Sequence, residues 1–75
     1  MNELIENLKK IRSDVDFEHE TSLVDGGFLA SFDIIQIVAM IGEEYDIKVP
    51  ISELKPANFN SAQALYDMIQ RLDET

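Results

Sequence analysis

The chain has 75 residues, a formal net charge of -9 and no cysteine. That length holds one small core in a single domain, residues 1–75, too little to shape a deep active-site cavity. It also rules out a disulfide framework or a thiolate metal site. The acid excess disfavours nucleic acid and anionic membrane as partners. The longest apolar run, Ile37 to Ile41, is far too short for stable membrane insertion.

Residues 2–12 read as a helix. Asn2 is placed to cap it, Glu3 and Glu6 suit its first turns, and Lys9, Lys10 and Arg12 suit its last. Leu4, Ile5, Leu8 and Ile11 recur at helical spacing and form its buried stripe. Ser13 to Leu29 reads as a long acidic loop with turn chemistry at Asp25-Gly26-Gly27. A loop of that length in so small a domain is functional or pinned, and Val15, Phe17, Leu23 and Phe28 are the expected anchors.

The second helix is expected from about Ser31 to Tyr45. Ile34, Ile37, Val38, Ile41 and Tyr45 share the face expected in the core. Phe32, Ile35 and Ala39 fall on a neighbouring face, with Gln36 and Glu43 beside them. A helix apolar on two faces is either buried all round or a partner surface, and a chain of this size favours the second. Pro50 to Leu54 reads as a short third helix, ended by Lys55-Pro56. The last helix is expected near Asn60, with Asn60 and Gln63 as a capping-box pair and Leu65, Met68, Ile69 and Leu72 as its buried stripe. No strand pattern or internal repeat interrupts this order, so the fold class is all-α.

The charge is segregated. Outside residues 13–47 six acids balance six bases. Inside lie Asp14, Asp16, Glu18, Glu20, Asp25, Asp33, Glu43, Glu44 and Asp46, with no lysine or arginine. The whole net charge therefore flanks Ser31, which follows the two glycines and opens the apolar helix. Such a field steers a basic protein surface toward that serine. The glycine spacing of a nucleophile elbow is missing around Ser31, and the lone His19 reads as a solvated loop residue, so no catalytic set is present. Asp14 to Asp25 imitates a calcium loop, but His19 stands where the turn glycine belongs and Asp25 where a bidentate Glu belongs, so no metal site is expected.

Leu23 through Tyr45 (LVDGGFLASFDIIQIVAMIGEEY), with Asp46 to Pro50 and Asn58 to Leu65, resembles the acyl carrier proteins. The resemblance covers most of the chain and implies a small four-helix bundle with a short third helix and a long loop between helices one and two. It implies 4′-phosphopantetheine carried covalently on Ser31, whose terminal thiol holds acyl groups as thioesters for enzymes of fatty acid, polyketide or aminoacyl transfer pathways. It also implies a non-enzymatic, monomeric, cytoplasmic carrier. Its partners would be a phosphopantetheinyl transferase and acyl-processing enzymes with basic patches, docking on Phe32, Asp33, Ile35, Gln36, Ala39, Glu43 and Glu44. Acyl tails would shelter among Ile34, Val38, Ile41 and the apolar residues of the last helix. One departure matters: the family has Asp before the serine, where it aids recognition by the transferase, and this chain has Ala30. The alternative expectation is an acidic interaction module that binds a basic partner through helix two with Ser31 unmodified.

Overall fold

The computed structural model describes residues 1–74, so Thr75, the last residue of the expected domain, lies outside the described residues. The elements are α1 (Asn2–Ile11), α2 (Ser31–Glu44), a 3-10 turn (Ile51–Glu53), α3 (Pro56–Phe59) and α4 (Ala62–Asp73). All are helical, and no strand occurs among the described residues. The small helical bundle expected from the sequence is the observed architecture.

The core is built from the stripes the periodicity marks. Leu4 and Leu8 of α1, Ile37 and Ile41 of α2, and Leu65, Met68 and Ile69 of α4 are buried together. Ile5, Ile11, Ile34, Val38, Tyr45 and Leu72 pack against them half-buried. Ile47, Val49 and Phe59 complete the core from the connecting segments.

Beyond one-residue differences at the ends of α1 and α2, three boundaries differ from the sequence expectation. Met1, not Asn2, occupies the cap of α1, and it supplies no side-chain hydrogen bond. The segment 50–54 forms only a 3-10 turn, and Pro56, expected to end a helix, instead begins α3. Proline suits that first position, because its missing N–H would have no intrahelical partner there. Ser61 rather than Asn60 caps α4, its Oγ accepting from the Ala64 N–H at 3.0 Å. Helix-start chemistry was present in both residues, and Asn60 is occupied elsewhere.

Asn60 anchors the long loop. Its Oδ1 accepts from the Val24 N–H at 3.0 Å and from the Asp25 N–H at 3.1 Å. Its Nδ2 donates to Asp25 Oδ2, and its own carbonyl accepts from Leu23 N–H at 2.9 Å. Val15, Phe17 and Leu23 are buried as expected, but Phe28 is 44% exposed and Leu29 takes the inward position. The Leu29 N–H closes the turn on the Leu23 carbonyl at 2.9 Å. Both glycines are required here. A Cβ on Gly26 would stand 2.6 Å from the Ser22 carbonyl oxygen, and Gly27 has φ +81.

Two predictions follow from these anchors and from the α3–α4 junction. Ser61→Ala should cost about 0.5–2 kcal/mol, the usual range for a lost helix cap. Asn60→Ala should cost about 1–3 kcal/mol by leaving loop N–H groups unpaired. Denaturant unfolding measures both, and amide exchange should speed at Val24 and Asp25 only in the Asn60 variant.

Glu53 tests the junction by pH. Its carboxylate accepts from Arg71 Nη1 at 2.9 Å and from Asn58 Nδ2 at 2.9 Å. The Arg71 hydrogen bond holds the Glu53 carboxyl below its ordinary value of 4.5. A carboxyl lowered by folding adds stability above its unfolded pKa and loses it as pH falls through the folded one. The melting-temperature advantage of wild type over Glu53→Gln should therefore be full at neutral pH and shrink progressively as pH falls below that ordinary value of 4.5.

Candidate functional site

Ser31 is the first residue of α2 and is exposed. No hydrogen bond ties its hydroxyl to any described residue. Ala30 stands at the cap with extended backbone, φ -95 and ψ 172, and brings no side-chain acceptor. The first N–H groups of α2 thus remain available beside the serine, at the positive end of the helix dipole.

The start of α2 is held instead by Asp33. Its Oδ2 accepts from the Ala30 N–H at 2.9 Å, the reciprocal half of a capping box. The same oxygen accepts from Arg12 Nη1 at 2.7 Å. Nη1 also donates to the Phe28 carbonyl at 3.2 Å. The other edge of the guanidinium forks onto Asp14, with Nε and Nη2 each 2.9 Å from a carboxylate oxygen. These bonds push the Arg12 pKa further above its ordinary value and hold the Asp14 carboxyl below its own.

The structure therefore corrects the reading of Asp33. That residue is only 6% exposed and its Oδ2 is bound by Arg12 and the Ala30 N–H, so it is not part of the exposed face of α2. The other residues expected to meet a partner are exposed. Phe32 is 68% and Ile35 64% exposed, and Gln36, Ala39, Glu43 and Glu44 are exposed as well. Positions 32, 35, 36, 39 and 43 fall at helical spacing along one face. Phe28 adds a further exposed aromatic ring in the preceding loop. α2 carries no basic residue.

Arg12 is the residue that sequence reasoning missed. It was assigned to the dipole of α1, a local role that needs no partner. Its only long-range signal is arithmetic: with Lys48, it is one of the two bases that flank a window of nine uncompensated acids.

His19 offers Ser31 no base. Its Nδ1 lies 3.0 Å from Asp16 Oδ2. It shares a groove with Met1, at the start of α1, whereas the Ser31 segment is held by Arg12 at the other end. α1 has ten residues, so those ends are about 15 Å apart. Among the described residues no cluster of three His, Asp or Glu side chains could hold a metal ion. No helix among them is long and apolar enough to cross a membrane.

Val38 and Gly42 line a shallow groove with Asp46 to Val49. Of the residues expected to shelter an acyl tail, Val38 borders this groove, Ile34 is half-buried, and Ile41 is sealed in the core.

No family model matches the chain. Among curated proteins it is similar to aminoacyl carrier protein 1 of Bradyrhizobium diazoefficiens, with 35% identity over 54 residues. The aligned stretch is 72% of this chain and 59% of that protein, so the chain spans about three fifths of its relative's length.

Filling the vacant cap tests the electrostatics of the site. Ala30→Ser should stabilise the protein by about 0.5–1 kcal/mol, within the lower half of the cap range. Ala30→Asp should gain less at low salt, because its carboxylate would face Asp33. Thermal unfolding of the two variants at low and high salt measures the difference, and the gap should narrow as salt screens it.

Proposed function

We propose that this protein is a carrier, with Ser31 as the attachment point for 4′-phosphopantetheine and the outward face of α2 as its docking surface. The observation that carries this reading is the placement of Ser31. An exposed hydroxyl, without a hydrogen bond or a neighbouring base, opens a helix whose outer face is apolar and acidic. That arrangement suits a residue modified by another protein rather than one that performs catalysis.

The residues fit the group. Ala30 is small, the hydroxyl is accessible, and the uncapped N–H groups of α2 favour a phosphate at this point. When bound, the arm would supply the thiol that this cysteine-free chain lacks, and that thiol would hold an acyl or aminoacyl group as a thioester. The similarity to an aminoacyl carrier protein supports a carrier role and adds aminoacyl groups to the cargo classes worth testing.

Docking follows from charge and exposure. Phe32 and Ile35 offer apolar contact, Gln36 and Ala39 extend the strip, and Glu43 and Glu44 end it with charge. A transferase or an acyl-processing enzyme with a basic patch complements this surface. Reading the site as an unmodified interaction module rests on Ala30, which stands where the resembled family has Asp.

Intact mass decides between the two. The chain is incubated with coenzyme A, magnesium and a broad-specificity phosphopantetheinyl transferase, with Ser31→Ala as control. One phosphopantetheine should be gained by the wild type and none by the control. No gain in wild type or in Ala30→Asp would leave the interaction module as the better reading. Glu43→Lys with Glu44→Lys should raise KM for the transferase and flatten its salt dependence, while unchanged KM would remove the steering role of those carboxylates.

A further inference from the structure

The polar restraints on the Ser31 segment converge on one side chain, at the C-cap of α1. Phe28 lies three residues before Ser31 and Asp33 two residues after it. Nη1 of Arg12 binds the carbonyl of the first at 3.2 Å and the carboxylate of the second at 2.7 Å. That carboxylate in turn fixes the Ala30 N–H at 2.9 Å. The peptide carrying Ser31 is therefore held on both sides by a single guanidinium nitrogen. The fork onto Asp14 sets the rotation of the guanidinium. The side chain at the cap position adds nothing to this, because alanine has no acceptor.

We infer that Arg12 is the positioning residue for modification of Ser31. This rests on the carrier reading above and assigns it a residue that lies off the docking face. In the modification, Ser31 Oγ forms the new phosphoester bond and its proton passes to a base of the transferase. The pyrophosphate bond of coenzyme A breaks, and adenosine 3′,5′-bisphosphate leaves. An attacking hydroxyl gains from being held in one orientation, since freedom at the reacting atom raises the barrier. Arg12 limits that freedom through Phe28 and Asp33 without touching the hydroxyl. Docking through Phe32, Ile35 and Glu43 governs KM, whereas Arg12 governs kcat.

The test is steady-state transferase kinetics on wild type, Arg12→Gln and Arg12→Lys, with Lys9→Gln as control. Lys9 forms another ion pair between α1 and the loop, to Glu18 at 2.7 Å, with no contact to the Ser31 segment. Circular dichroism sets a temperature at which each variant is folded, and Arg12→Lys carries the comparison if the glutamine variant does not fold. Arg12→Gln should lose about tenfold or more in kcat with KM within about twofold of wild type. Arg12→Lys should recover part of that loss, since ammonium keeps the charge but not the fork. Lys9→Gln should match wild type. Amide exchange at Ala30 should speed in the Arg12 variants before any cofactor is added.

Equal kcat in all variants would overturn the assignment while leaving the carrier reading intact. A loss that appears only in KM, or equally in Lys9→Gln, would overturn it as well. Failure to modify wild type and Ala30→Asp alike would overturn the carrier reading and this inference with it; if only Ala30→Asp is modified, the same Arg12 and Lys9 variants are compared in that background and judged by the same outcomes.

Discussion

The structure around Ser31 depends on one guanidinium in a field of carboxylates. Arg12 follows α1 as its C-cap, and its four used N–H donors join the start of the loop at Asp14, the end of the loop at Phe28, and the first turn of α2 at Asp33. Asp33 is the costly partner, because a buried carboxylate without compensation is strongly destabilising. Arg12 and the Ala30 N–H supply that compensation. A lysine could supply the charge but not three directions at fixed angles. The loop can therefore be long and acidic, yet still deliver Ser31 to a defined place.

A second tether works from the opposite side. Asn60 lies between α3 and α4 and serves as a template for the backbone of residues 23–25. Gly26 and Gly27 then turn the chain back, and Leu29 is drawn into the core. Because Leu29 rather than Phe28 is buried, the aromatic ring is left exposed in the loop that leads to α2. The apolar area near Ser31 is thus a product of loop closure as well as of helix periodicity.

Much of the fold was legible because it follows from periodicity. The stripes Leu4–Leu8, Ile37–Ile41 and Leu65–Met68–Ile69 each repeat at helical spacing, and burial of those stripes leaves little choice of packing. The outward position of Phe32 and Ile35 was legible for the same reason, since two apolar faces cannot both be covered in so small a bundle. Other features lay outside such reasoning. Asn60 and Ser61 are both good caps, and only the loop's demand for an acceptor decides between them. Pro56 could stop one helix or start the next. Asp33 has the composition of a surface acid, and its burial depends on a residue twenty-one positions earlier. Contacts of that kind leave no local trace.

The charge pattern gains meaning from the same contact. Asp14 and Asp33 are engaged by Arg12, Asp25 by Asn60, and Glu18 by Lys9. Glu43 and Glu44 face outward at the end of a helix that carries no base. They also lie where the helix dipole is negative, so they oppose it rather than complement it. Nothing in α2 offsets that cost within the folded chain. On the carrier reading, a partner's cations would offset it on docking, so local self-repulsion would favour association with a basic surface. The acids that hold the serine in place and the acids that would draw in an enzyme are thus separate groups, and Asp33 belongs to the first.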